Sequence, residues 1–360
     1  MIPLKSISYI FSICLILLLG SFSKVENKTD LPKSDTHQNT ENQKRKSITF
    51  IMGEDEKTKN QYYAEAANFY RYNEQERTDV VIDTCQSLWS IKTFLEDHRP
   101  TNGLPWGDIN IVVHSNEWTG LSMPVFPNGE RINSAVLMDA HINNHFIPIP
   151  SEVADGQTRI DFKSCGLGRN ELLVNALQEL FLNDECAGTS PKVTASPYFL
   201  FYESAKYKGI PTSTKKSKAE VWYAFYKTGY REGDIKLSRQ LSKRYPNATV
   251  NWRKALKHKS SENSASLFHY NFTIPIEWTV TYETESDRPN LVTKESQQKW
   301  LANQLELQAE LAAYGIEMDK FRWQFKEIDY TFEDGVVEPA IQVKGKCTVV
   351  CILQNIDTNT

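Results

Sequence analysis

Between residues 47 and 196 the chain alternates short apolar runs with stretches of helical period, and this alternation constrains the fold more than any other feature. Residues 47–52, 79–83, 107–113, 159–164 and 192–196 read as strands, rich in Val, Ile, Phe and Thr. Residues 62–72, 85–97, 132–144 and 171–182 carry helical spacing between them. Strands alternating with helices of this length form βαβ units, so the expectation is an α/β fold with a mostly parallel sheet and helices on both faces. Sheets of this kind bind ligands beyond the carboxyl ends of their strands.

The pattern changes after residue 196. Residues 218–227 and 233–244 read as two further helices, the second stopping before Tyr245-Pro246. A long strand over 267–282 follows, then a helix over 294–313 and a strand pair within 321–356 turned around Asp334-Gly335. These last elements predict a small α+β accessory region, 261–360, appended to a main domain of residues 47–260.

The N-terminus reads as an export signal. Lys5 precedes thirteen mostly apolar residues, 7–19, and Ser21-Phe22-Ser23 gives a small-x-small cleavage site, so residues 1–23 are expected to be removed. Thirteen residues fall short of the roughly 20 that a spanning helix needs, so no stable membrane insertion is expected after removal. The Phe-Ser-Ile before Cys14 is a poor lipoprotein box. Residues 24–46 are almost devoid of apolar side chains and predict a flexible polar spacer. An extracytoplasmic location, secreted or periplasmic, follows from this reading.

A formal net charge of -4 argues against nucleic acid as a partner. The charge is unevenly spread: residues 204–260 hold fifteen Lys and Arg against three acids, and 261–360 hold eight against sixteen. Export also makes the thiols informative. Cys85, Cys165, Cys186, Cys347 and Cys351 would remain, and Cys347 and Cys351, four apart in one strand, would lie about 13 Å apart, beyond disulfide reach.

Two reactive side chains fall just beyond strand ends. His114 follows Ile109-Asn-Ile-Val-Val and Cys165 follows Ile160-Asp-Phe-Lys-Ser. Cys165 is succeeded by Gly166-Leu-Gly168 and a helix, whose N-terminus would favour thiolate, while Gly166 and Gly168 would let backbone amides approach an oxyanion. His141-Ile-Asn-Asn-His145 places two histidines at helical spacing but lacks the glutamate of a metalloprotease helix, so no metal is expected. No phosphate loop, dinucleotide fingerprint or serine elbow is present in the sequence, and no cofactor is expected.

In order along the chain, Asn110-Ile-Val-Val-His114-Ser115, Glu117-Trp-Thr-Gly120, Phe162-Lys-Ser-Cys165-Gly-Leu-Gly168 and Val193-Thr-Ala-Ser196-Pro-Tyr resemble the caspase-like cysteine peptidases in the wide sense, caspases, gingipains, clostripain and CHAT-type members among them. Ala224-Phe-Tyr226 through Gly229 and Leu241 resemble the next two helices of the CHAT-type members. The resemblance implies a peptidase acting on peptide or protein substrates. Cys165 would be the nucleophile, His114 the general acid/base, and the amides of Ser115 and Cys165 the oxyanion donors. Ser115 stands where the family usually has glycine, and Asp161 and Lys163 interrupt an otherwise apolar strand. The alternative is a non-catalytic caspase-like module that binds a partner.

Overall fold

The computed structural model describes residues 44–55, 61–143, 145–181, 190–248, 250–257, 268–332 and 334–356. The expected signal segment 1–23 with Cys14, most of the expected spacer and Cys186 lie outside the described residues. The spacer's last three residues belong to the fold. Arg45 grips Asp155 with two hydrogen bonds of 2.7 and 2.9 Å, and the Lys46 carbonyl accepts the Gly107 amide. A bidentate guanidinium–carboxylate pair of this geometry fixes the backbone on either side of it.

The first half follows the predicted alternation: β1 (Ile48–Ile51), α1 (Tyr62–Tyr72), β2 (Val80–Ile82), α2 (Leu88–Asp97), β3 (Asp108–Val112), a short hairpin of β4 (Ser115–Asn116) and β5 (Gly120–Leu121), α3 (Ser134–Ile142), β6 (Arg159–Lys163), α4 (Glu171–Phe181) and β7 (Lys192–Ala195). Five strands form a parallel sheet in the order β2-β1-β3-β6-β7. The chain leaves β1 in one direction and returns across it to β3, so right-handed crossovers put α1 on one face and α2 to α4 on the other. Side-chain alternation agrees. Ile48, Phe50, Ile109, Ile111, Ile160 and Phe162 pack against Leu88, Ile91 and Leu95 of α2 and Leu173, Leu177 and Leu180 of α4. Ile51 and Val112 pack on the opposite side against Ala66, Phe69 and Tyr70 of α1. Asp161 and Lys163, which interrupt β6, lie on that thinner side and pair with each other at 2.5 Å. The two polar residues therefore do not disturb the dense face.

The second half is an antiparallel sheet: β8 (Phe199–Tyr207), β9 (Ile210–Lys227), α5 (Ile235–Arg244), α6 (Trp252–Ala255), β10 (Phe268–Thr281), α7 (Lys294–Ala302), α8 (Leu305–Tyr314), β11 (Arg322–Thr331) and β12 (Val337–Asn355). β12, nineteen residues long, is the spine. β10 pairs along one side of it, while β11 and β9 pair end to end along the other, and β8 closes the row beyond β9. Ile274, Ile276, Ile341, Val343 and Val349 face α7 and α8, and Phe225, Val350 and Ile352 face α5 and α6.

This sheet corrects three expectations. Residues 218–227 are strand, not helix: Ala219 is fully buried while Lys218 and Glu220 on either side are exposed, the period of two of a half-covered sheet. The expected helix over 294–313 is two helices, broken where Gln304 takes an extended conformation. Residues 261–360 are not an appendage. β9, from before residue 260, pairs with β12 from Lys227↔Thr348 to Ala219↔Asn355, so the boundary at 260 cuts through one sheet.

Candidate active site

His114 and Cys165 occupy the carboxyl edge of adjacent parallel strands, β3 and β6, as strand order demanded. Their loops touch: the Ser115 hydroxyl donates to the Cys165 carbonyl at 2.8 Å. The sheet's order reverses between β1 and β3, the place where an open α/β sheet leaves a crevice for a ligand. Here the start of α1 fills it. Asp55 accepts the amides of Tyr63 and Ala64 at 2.9 and 2.8 Å, which fixes the first turn of α1 over the strand ends. Gly53 permits this approach, since a Cβ there would stand 2.4 Å from the Tyr63 ring.

Tyr62 and Tyr63 then enclose His114. The Tyr62 ring stacks on the imidazole with centroids 4.4 Å apart, and the Tyr63 ring meets it edge-on at 4.7 Å. The Tyr63 hydroxyl accepts the His114 amide at 3.1 Å. At its far end Tyr62 donates to the Lys163 carbonyl at 3.3 Å and also hydrogen-bonds with the Cys165 thiol. One buried phenol thus touches both members of the expected dyad.

The two glycines expected to support an oxyanion are committed to structure. The Gly166 amide donates to the Tyr198 carbonyl at 3.1 Å and the Gly168 amide to the Ser196 carbonyl at 2.9 Å, so neither points at an oxyanion. Gly166 has φ +68°, and a Cβ at Gly168 would stand 2.4 Å from the Ala195 carbonyl oxygen, so both glycines serve a tight turn against β7. A short 3₁₀ turn, Leu167–Arg169, separates Cys165 from α4, and Asn170 caps that helix by accepting the Leu173 amide at 3.0 Å. The sulfur therefore lacks the helix terminus that the sequence promised it. Burial pushes the Cys165 thiol up to about 11, against the smaller opposing effects of its contacts with the Leu200 carbonyl and Tyr62. Burial likewise holds the His114 imidazole below its ordinary range, with Asp55 pulling the other way. Both shifts favour a neutral thiol beside a neutral imidazole over a thiolate–imidazolium pair.

Several contributors were not singled out from sequence. Arg131 donates to the Thr119 and Gly120 carbonyls at 2.8 and 2.9 Å and lies near His114 and Tyr63. Glu117 pairs with Arg169 at 2.5 Å across the two loops. Tyr270 of β10 stacks edge-on against Phe199 at 5.5 Å close to Cys165, so the antiparallel sheet roofs the thiol. The tandem Tyr62-Tyr63 at a helix start, the next helix after β1 and the glycine at 53, was the available signal.

His141 lies in the last turn of α3 and His145 beyond its end, so they do not share a helix face. Among the described residues no cluster of three or more His, Cys, Asp or Glu could hold a metal ion. Cys85, Cys165, Cys347 and Cys351 are free thiols. Comparison of the chain with protein-family models, curated proteins and solved structures found no match.

Proposed function

We propose that the chain is an exported protein whose caspase-like α/β scaffold serves as a partner-binding module and not as a peptidase. The scaffold reading is supported by the histidine and cysteine loops on adjacent strand ends in the order that the family resemblance implies. The loss of catalysis rests on one observation, the Tyr62 phenol lodged against both His114 and Cys165. A nucleophile, an acid and a scissile carbonyl must converge within about 3–3.5 Å, and here a tyrosine holds the ground that the carbonyl would need.

The second reading, a Cys–His peptidase, is favoured by the direct contact of the two loops through Ser115. In that reading Cys165 attacks the peptide carbonyl, His114 protonates the leaving amine, and Tyr62 must first swing away. Labelling with a thiol-reactive peptide probe near neutral pH separates the two. The expected outcome is no labelling of Cys165 in the wild type and faster labelling in Tyr62→Ala. Labelling of the wild type, with peptide cleavage that Cys165→Ala abolishes, would establish the peptidase.

A further inference from the structure

The unequal charge of the two halves becomes an unequal charge of two ends. α5 and α6 lie over Val350 and Ile352, near the C-terminal end of β12. They expose Arg239, Lys243, Arg244, Arg253 and Lys254, of which none has an ion pair among the described residues. Arg239, Lys243 and Arg253 line one groove of about 570 Å³, with Ser238, Ser242 and Asn251 beside them. At the other end of β12 the β11–β12 hairpin projects. It carries Asp329, Asp334 and Glu338, and the Tyr282 amide bonded to the Pro339 carbonyl brings Glu283 alongside, with Glu285 next to it paired to Arg288. Tyr330, Val336 and Val337 add exposed apolar surface at this tip.

About 40 Å of strand separates the two ends, against a screening length of roughly 8–10 Å at physiological salt, so they cannot neutralise each other within one molecule. One end is a shallow, open basic groove and the other an acidic hairpin tip with an apolar crest. We propose that the chain binds a second copy of itself head to tail, the acidic β11–β12 hairpin of one molecule seated in the basic α5–α6 groove of the next. Because the two surfaces differ, the contact is heterologous and each added copy leaves one groove and one tip free, which propagates into rings or open arrays. The association is independent of whether Cys165 reacts.

Analytical ultracentrifugation of the whole chain tests this. Average mass should rise with concentration at about 50 mM salt and return to the monomer at about 0.5 M. Neutralising either end, by Arg239→Gln with Lys243→Gln or by Asp329→Asn with Glu338→Gln, should raise the dissociation constant about tenfold or more. All four residues are at least partly exposed, and unchanged circular dichroism would show that the fold is kept. The two variants mixed should form dimers and nothing larger, because each retains the end that the other lacks. A monomer at every concentration and salt, or association unaltered in both variants, would overturn the proposal.

Discussion

The two sheets of this chain solve the same burial problem in opposite ways. Strands of the parallel sheet are three to five residues long and its dense face is a run of Ile and Phe beneath α2 and α4. Strands of the antiparallel sheet run to nineteen residues and alternate apolar with charged. Along the β10–β11–β12 stretch, one face carries the α7–α8 core and the other Lys344, Gln342 and Glu277. Parallel strands joined by helices are covered twice, whereas a long antiparallel ribbon can leave one face in water. The difference teaches where a site can hide. The strand-end loops of the first sheet are where ligands would bind, and the inner face of the second sheet lies across them, with Cys165 and Trp118 packed against its core.

If the two sheets form one cooperative body, damage to either should weaken both. Phe162→Ala, in the parallel core, should cost about 3–5 kcal/mol, and Leu307→Ala, under the antiparallel sheet, about 2–5 kcal/mol. Calorimetry should show a single transition lowered in each case, and two separate transitions would break the picture. Alkaline pH probes one thiol from each region. Burial pushes both Cys165 and Cys347 to about 11, above the roughly 8.5 of an unfolded thiol. The native state thus keeps protons that the unfolded chain releases. Their contribution to stability should be complete below about pH 8.5 and fall as pH rises through 11, read by denaturant midpoints across that window.

Two capping boxes sharpen the comparison further. Ser87 opens α2 and is fully buried, whereas Thr293 opens α7 in contact with solvent. Ser87→Ala should cost about 2 kcal/mol and Thr293→Ala about 1 or less, since only the first leaves a buried donor or acceptor unpaired. The smallest effect belongs to the open face. Glu277→Gln breaks the 3.0 Å pair with Lys344 and should change stability by about 0–1 kcal/mol.

The same contrast governs what could be read beforehand. All five parallel strands were legible because each is a short apolar run between turns, and α1 was placed at its observed ends. β9 was misread. Its Lys215-Lys-Ser-Lys218 stretch is polar because one side faces water, and the aromatic stretch after it fits either period in so short a window. β8 was missed because Phe199–Tyr207 mixes both characters. At the site, sequence placed His114 and Cys165 on neighbouring strand ends but could not see Tyr62, nor the Tyr198 and Ser196 carbonyls that occupy the glycine amides. Those contacts come from segments far along the chain or from a helix start whose tilt is set by packing.

β12 is translated after every strand that pairs with it. Until it emerges from the ribosome, β9 has β8 alone beside it, and β10 and β11 have no partner strand among the described residues. Pairing of residues as distant as Ala219 and Asn355 makes this half a slow, high-contact-order folder. The parallel half can form during synthesis, while the later strands wait with open edges, the stage at which a nascent chain most needs protection from its neighbours. A single late strand therefore sets both the timing of folding and the period of greatest exposure to aggregation.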